Sequence, residues 1–428
     1  DVVFVVTEGA RDRLEEVVVV GNRGIDTDVV LRAIDLSVGE PLRTDELLRA
    51  RTRLFDTGLF RRIDITSEPA ESAAGGSGIV PIRLRVTVEE WPALRLRYGV
   101  LVAQEFRPDD LTRRELVPGV SADVSRRTLF GRAVTVGAVM GLQRREQRGR
   151  VFLNTPTLVG LPVESSLIAE RSHEEFEGVT LVTNRSSLSW EQRARPAGSL
   201  NLSYSYTFEK NRTFETKPPD PFVPALDITI NIARLNAAAA RDTRDDPSDT
   251  TRGLLVSSSV EYAPEALGSD IRFVRQVAQA YYFRPWRGLV FASAARVGTV
   301  APLGGQELIP SERFFAGGSR TVRGVAENSL GPRYFFDDSP TGGEMMIVLN
   351  QEARLPIYRW MRGVAFVDAG NVFAKTRDAS LRDLVGSLGL GLRFSTPFAL
   401  LRLDYAKTAW GSEEETSGRW IFGIGQAF

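Results

Sequence analysis

The chain of 428 residues contains no cysteine, which excludes both a disulfide framework and a thiolate metal site. Histidine is almost as scarce, and the one residue of this type, His173, lies in a polar run that favours an exposed loop position over catalysis or metal binding. The 54 basic and 54 acidic side chains cancel, so no overall charge attracts nucleic acid as a partner. No apolar run approaches the roughly 18 residues of a membrane helix.

Catalytic motifs are also missing from the sequence. It has no Gly-x-Ser-x-Gly elbow, no phosphate-binding loop and no metal-ligand spacing around His173. We therefore expect a protein that is not an enzyme, with no catalytic residue, no cofactor and no metal.

Two patterns of hydrophobicity divide the chain near residue 92. Before it, the signals run in the order β-α-α-β-β, with strands predicted over 14–20, 60–67 and 82–88 and helices over 27–33 and 44–57. The second and third of these strands are expected to offer free edges. Residues 1–9 already resemble a strand without a positively charged leader, so we expect the chain to begin inside a larger protein, after signal-peptide removal or truncation.

From Ala93 onward the helical period is replaced by strict alternation of apolar residues with small, polar or charged ones. Leu202 and Tyr204, for example, alternate with Ser203 and Ser205. A period of two places the two sets on opposite faces of a sheet. About sixteen such strands are predicted, an even number, and many have the 9–11 residues that cross a bilayer.

The connections between these strands favour a transmembrane barrel over a soluble sandwich, which the alternation alone also permits. Tight turns alternate with long loops, and the long loops are predicted at 105–117, 210–227, 300–343 and 370–385. Short turns on one side and long loops on the other are typical of outer-membrane barrels. The predicted fold class is therefore mostly β: a transmembrane antiparallel barrel of about 16 strands after a small α+β domain.

The loop at 300–343 combines residues that favour burial with glycines, and it sets Arg323 among them. A buried guanidinium needs carboxylate partners. Glu352 and Asp368 lie on the two strands that follow, and both should face the lumen because a carboxylate facing lipid is costly. We expect Arg323 to pair with both, since a planar guanidinium suits bidentate carboxylate pairing. The same alternation directs further charges inward, interpreted as lumen ion pairs: Arg393, Arg402 and Asp404.

Several of these segments resemble known families. The N-terminal region resembles a POTRA domain, through Gly21-Asn22 after the first strand and the sequence Leu-Phe-Asp-Thr-Gly-Leu-Phe at 54–60. The remainder resembles the BamA/TamA superfamily of outer-membrane assembly factors, and the segments that carry this resemblance are 315–325, 364–370, 241–253 and 422–428. We therefore predict the end of a preceding POTRA-like domain at 1–9, a POTRA-like domain at 10–92 and an outer-membrane β-barrel at 93–428.

The resemblance implies roles for particular residues. The loop motif comprises six residues, namely Gly317, Gly318, Val322, Arg323, Gly324 and Val325. Val325 stands where the family commonly has an aromatic residue. The motif of the thirteenth predicted barrel strand comprises Phe366, Asp368 and Gly370, and the closing strand with its C-terminal signal is represented by Gly423, Gly425 and Phe428.

The implied function is insertion and folding of β-barrel proteins in the bacterial outer membrane, with the N-terminal domain in the periplasm. Because glycine weakens strand packing, Gly423 and Gly425 indicate a lateral gate between the first and last strands, whose edge templates an incoming strand. The implied partners are unfolded outer-membrane protein clients, outer-membrane lipid, and periplasmic lipoproteins or a TamB-like inner-membrane protein. The alternatives are a two-partner-secretion pore that translocates a polypeptide, and a passive channel.

Overall fold

A computed structural model describes most of the chain. The residues it describes are 11–70, 79–107, 110–143, 146–157, 161, 163–175, 181–215, 227–335, 338–396, 400–411 and 418–426. Of the predicted segments, 1–9 and Phe428 lie outside these residues.

The N-terminal region has the predicted order of elements. These are β1 (Arg11–Val20), α1 (Thr27–Ile34), α2 (Thr44–Asp56), β2 (Phe60–Pro69) and β3 (Ile79–Glu90). The helices contribute Val30 and Leu54 to a core that also contains Leu84 and Val86 of β3, and all four side chains are fully buried. Burial of each such aliphatic side chain contributes about 1.5–3 kcal/mol, so the packing of both helices on one sheet face stabilises this small fold.

The order of the three strands corrects one expectation. The order is β1-β3-β2, with β3 parallel to β1 and antiparallel to β2, so the predicted strand at 82–88 is central and offers no free edge. Part of the outer edge of β1 is also covered, because the N–H of Leu14 donates to Glu40 O (3.0 Å) and the N–H of Leu42 donates to Asp12 O (2.9 Å). The strand at 60–67, within β2, remains at an edge.

The rest of the chain forms one 16-stranded sheet, which confirms the predicted number of strands. Each strand pairs with its neighbours in sequence, and the sheet runs in order from β4 to β19. The strands are β4 (Leu94–Arg107), β5 (Asp110–Arg126), β6 (Thr135–Gln143), β7 (Glu146–Thr155), β8 (Val163–Glu175), β9 (Leu181–Ala197), β10 (Leu200–Glu215), β11 (Asp227–Asp242), β12 (Gly253–Ala263), β13 (Phe273–Trp286), β14 (Leu289–Pro302), β15 (Met345–Tyr358), β16 (Met361–Phe373), β17 (Val385–Ser395), β18 (Leu400–Trp410) and β19 (Arg419–Ile424). β4 and β19 form the two edges of this sheet, and no ladder joins them among the described residues.

One predicted loop is wrong. Residues 105–117 are not a long connection, because β4 continues to Arg107 and β5 begins at Asp110. β10 likewise continues into the loop predicted at 210–227, ending at Glu215. The physical reason is that a ladder is built from backbone hydrogen bonds, so a strand can continue where the period of two disappears from the sequence.

The two faces of the sheet differ as the alternation predicts. On β15 the side chains of Asn350, Glu352 and Arg354 are buried, whereas Leu349 and Gln351, which alternate with them, are exposed. We call the face that carries the buried charges the inner face. Among the described residues no helix is long and apolar enough to cross a membrane.

Candidate functional site: the long loop and the inner face

The loop between β14 and β15 is folded back on itself rather than extended. Phe314 and Gly343 exchange two backbone hydrogen bonds of 2.9 and 3.0 Å, and Ala316 forms a further bridge with Leu330. These contacts close the segment 317–329 into a compact tip. The tip is therefore a defined structure, and its conformation decides where Arg323 lies.

Glycine is required where the tip turns. Gly317 and Gly318 have φ angles of 110° and 93°, and a Cβ on Gly318 would lie 1.8 Å from a carboxylate oxygen of Glu327. The N–H of Ser319 donates to that same oxygen at 3.1 Å. The N–H of Gly317 donates to the Thr321 hydroxyl at 2.8 Å. Side chains at these two positions would strain the backbone and displace the acceptor that fixes the turn.

The rest of the loop motif packs on the inner face. Val322 is fully buried, and it lies so close to Gly370 of β16 that a Cβ there would be 2.9 Å from its Cγ2. Val325 joins a cluster of buried residues that includes Val348, Val372 and Val385 of three neighbouring strands. Gly324, with φ 90°, lies against the backbone of β18. At position 325 an aliphatic side chain therefore packs the loop against the inner face of these three strands.

The structure brings Arg323, Asp368 and Glu352 together. The guanidinium is 1% exposed, and it binds Asp368 through two bonds, Nε to Oδ2 at 2.7 Å and Nη2 to Oδ1 at 2.8 Å. Its Nη1 donates to Glu352 Oε1 at 2.6 Å, and its backbone N–H donates to Asp368 Oδ2 at 3.1 Å. The guanidinium carbon also lies 3.4 Å from the ring centroid of Phe366. This geometry fixes both the position and the orientation of the Arg323 side chain.

Further inner-face charges extend the pair into a network. Asp404 lies 3.4 Å from Arg323 Nη1 and is also bound by Arg393, while Glu352 accepts from Arg354 Nε at 2.9 Å. The network spans β15, β16, β17 and β18 and contains four arginines and three carboxylates. Arg402 joins it through Asp404, at a distance of 3.8 Å. We call the residues that contact these charges the Arg323 network: Arg323, Asn350, Glu352, Arg354, Asp368, Arg393, Arg402 and Asp404.

Glu312 is a second anchor of the loop that the sequence analysis missed. Its side chain is 6% exposed, and its carboxylate lies 3.3 Å from Arg234 of β11 and 3.5 Å from Arg275 of β13. Arg275 also covers the ring of Phe314, whose edge fills the space beside Gly298 of β14. Burial raises the pKa of the Glu312 carboxyl despite the opposing effect of the two arginines. Inward-facing arginines on β11 and β13 were the available signal, because each needs an acidic partner.

The glycines of the last strand have separate roles. A Cβ on Gly423 would lie 2.9 Å from the guanidinium of Arg402, so this position leaves space for a buried arginine on β18. Gly425 has φ 87°, a left-handed conformation that favours glycine, and its N–H donates to Leu400 O of β18 at 2.7 Å. Phe428, the third residue expected at this edge, lies outside the described residues.

Comparison with known proteins places most of the chain in a family. A profile described as the Omp85 superfamily domain matches residues 128–428, and a POTRA profile, described as the surface antigen variable number repeat, matches residues 13–90. The outer membrane protein assembly factor BamA of Nitratidesulfovibrio vulgaris is 23% identical over 444 residues, which cover 100% of this chain and 53% of that protein. The chain spans about half the length of the curated relatives that it matches first.

Solved structures show the same fold at low sequence identity. BamA from Haemophilus ducreyi lacking POTRA domains 1–3 is 16% identical, with a TM-score of 0.76 over 97% of this chain and 85% of that chain. CdiB from Acinetobacter baumannii is 12% identical, with a TM-score of 0.55 over 97% of this chain and 74% of that chain. Since the Omp85 profile covers more than half of the residues, the chain belongs to the Omp85 superfamily.

Proposed function

We propose that this protein folds and inserts β-barrel proteins into the bacterial outer membrane, with its 16-stranded sheet in the membrane and its POTRA-like domain in the periplasm. The observation that carries the proposal is the Arg323 network, which fixes a long loop against the inner face of β15 to β18. A curated relative that aligns with the whole chain is named an outer membrane protein assembly factor. The proposed activity is strand pairing rather than chemistry and requires no cofactor.

The short last strand supports a lateral gate at the edge of the sheet. Among the described residues, β19 pairs with β18 through six residue pairs, whereas β18 pairs with β17 through ten. A strand held by few ladder hydrogen bonds moves at low cost, so β19 can shift away from β4 at the proposed seam between the first and last strands. An edge strand that opens presents unpaired N–H and C=O groups, and these can template a strand of a client by β-augmentation.

The loop gives this gate a rigid frame. Contacts from the loop reach β11 and β13 through Glu312, β14 through Phe314, and β15, β16 and β18 through Arg323. Buried, hydrogen-bonded ion pairs hold their elements in one arrangement. A frame of strands braced in this way would keep the client-binding edge in register while β19 moves.

The POTRA-like domain offers one docking edge. β2 lies at the edge of its three-stranded sheet, and its exposed residues include Arg61, Asp64 and Thr66. An incoming segment could add to this edge through main-chain hydrogen bonds before reaching the gate. We propose unfolded outer-membrane proteins as the first occupant, and periplasmic lipoproteins or a TamB-like protein remain predicted partners.

A polypeptide-secreting pore is the second candidate, because the fold is shared with CdiB. Reconstitution of the full chain in liposomes separates the candidates. Insertion of an unfolded barrel client, measured by its protease-resistant folded form, supports the assembly function. Transfer of an unfolded polypeptide into the liposome lumen without insertion would instead show a secretion pore, and steady ion conductance without either activity would show a passive channel.

The gate has its own test, for which the absence of cysteine is an advantage, because introduced thiols are then the only ones in the chain. Cysteine pairs placed along β4 and β19 would be oxidised to lock the two edges together. We expect locked protein to lose client insertion and to recover it on reduction. Normal insertion by fully locked protein would exclude the gate while leaving the assembly function in place.

A further inference from the structure

The connection between β11 and β12 is a rigid turn. The carboxylate of Asp245 accepts the backbone N–H groups of Asp246, Thr251 and Arg252 at 3.0, 3.0 and 3.1 Å, and it also accepts the Thr251 hydroxyl. These donors hold the pKa of the Asp245 carboxyl well below its usual range, the Thr251 hydroxyl having the largest effect. Asp242 and Arg244 pair within the same turn, with Nη2 and Oδ2 2.7 Å apart. The turn is therefore fixed to a large extent by hydrogen bonds of its own side chains.

Asp249, at the tip of this turn, reaches residues far away in sequence. Its Oδ1 accepts a hydrogen bond from Arg362, at the start of β16, 113 positions away. The same oxygen accepts from Gln426 Nε2 at 3.2 Å, 177 positions away. Gln426 lies just after the last strand, so one carboxylate connects the turn, the start of β16 and the end of the edge strand β19.

The contact to Gln426 lies just beyond the described ladder of the last strand. Paired residues of β18 and β19 run from Ala406–Arg419 to Leu401–Ile424. The N–H of Gly425, whose φ is 87°, makes one more bond to β18. The next residue is Gln426. Its bond to Asp249 thus restrains the residue that directly follows the described bonds between β18 and β19.

We propose that Asp249, Arg362 and Gln426 form a clamp that holds the C-terminal end of β19 in place and so sets how readily this edge of the sheet opens. The proposal rests on the proposed gate, to which it adds a positioning residue. Arg362 supplies the charge that fixes the Asp249 carboxylate, and Gln426 is the group that is held. When the clamp is broken, the end of β19 is retained by the ladder to β18 alone, and β19 opens more often.

The clamp can be separated from the turn that carries Asp249. Several side-chain hydrogen bonds build the turn without Asp249, including those of Asp245 and those of Asp246, which accepts the N–H and hydroxyl of Ser248. The described contacts of the Asp249 side chain go to Arg362 and Gln426. An Asp249→Ala substitution therefore removes the clamp and leaves the turn its own hydrogen bonds.

Hydrogen exchange of the full chain, measured by mass spectrometry without a client, tests the clamp. Asp249→Ala and Arg362→Ala remove it from opposite sides, and both should accelerate exchange in 419–426 by about tenfold, corresponding to ~1.4 kcal/mol. Asp249→Asn keeps an acceptor oxygen and should have a smaller effect. Glu265→Ala is the matched control, since it breaks an exposed ion pair of 2.7 Å with Arg272 beyond the other end of β12.

Unchanged exchange in 419–426 in the Asp249→Ala protein would overturn the proposal. So would acceleration by Asp249→Ala but not by Arg362→Ala, or equal acceleration across 243–252, because the turn rather than the clamp would then be responsible. Client insertion by the wild-type protein is measured separately in liposomes. Failure of that assay would remove the proposed function, whereas the exchange result would still decide whether the clamp exists.

Discussion

Replacing Arg323 with alanine should release the tip of the loop from the inner face. The guanidinium makes three hydrogen bonds of 2.6 to 2.8 Å to two buried carboxylates. Removal of one partner from a buried ion pair costs about 3–5 kcal/mol, because the other charge stays desolvated. Opening of the tip should therefore become more frequent by a factor of about a hundred to a few thousand.

The structure indicates which carboxylate accounts for most of this cost. Without Arg323, Glu352 still has Arg354 Nε at 2.9 Å and Arg393 Nη2 at 3.4 Å. Asp368 keeps a neutral donor within the described part of the chain, the Asn350 amide at 2.8 Å. Among the described residues Asp368 is therefore the carboxylate left without a salt bridge, since Arg296 acts on it only at longer range. Its neutralisation should recover much of the lost stability.

Hydrogen exchange of 317–325 in three variants measures this asymmetry. Arg323→Ala should open the tip most. Addition of Asp368→Asn should recover more than half of the free energy of opening that Arg323→Ala removes. Addition of Glu352→Gln should restore none, because it removes the carboxylate shared by Arg354 and Arg393. Equal rescue by the two second-site changes, or unchanged protection in Arg323→Ala, would refute the assignment of Asp368 as the main partner.

Substitutions at three further positions test other parts of the structure. Glu312→Gln should change exchange in 308–316 less than tenfold, because the relief of a buried charge offsets lost attraction, whereas Glu312→Lys should release this segment by placing a cation beside two arginines. Gly423→Ala should accelerate exchange in 419–424 severalfold, because its methyl group meets the Arg402 guanidinium, and unchanged exchange would mean that β19 adjusts freely. Asp245→Ala should unfold the turn at 243–252, which limited proteolysis would detect, and a protected turn would contradict its proposed rigidity.

Much of the large sheet could be predicted from the sequence because its two faces meet different surroundings. Where one face is apolar, alternation marks each strand, as at 345–358 and 361–373. Alternation also placed Glu352 and Asp368 on the inner face before any partner was known. The hairpin between β4 and β5 was missed because ladder hydrogen bonds are made by the backbone and leave no trace in side-chain polarity.

Strand order and long-range partners were harder to predict. The order β-α-α-β-β does not state that β3 lies between β1 and β2, since this depends on how the helices cross the sheet. Glu312 stands in a Pro-Ser-Glu segment that has the composition of an exposed loop, and its burial follows from the path of the whole loop. Asp249 is similar, because its partners lie 113 and 177 residues away. A local pattern carries no information about either contact.

The restraints on the sheet are distributed unevenly, and this unevenness is what a gate at β19 would need. The strands from β11 to β18 are joined by their ladders, and the loop adds contacts to β11 and β13 through Glu312 and to β15, β16 and β18 through Arg323. The restraints described for β19 are a ladder of six residue pairs and one clamp at Gln426. Because opening follows the least costly separation, a fluctuation of this part of the sheet should occur first between β18 and β19 or at the free edge of β19. The buried charges of the loop would then favour insertion indirectly, by keeping the neighbouring strands fixed while this edge moves.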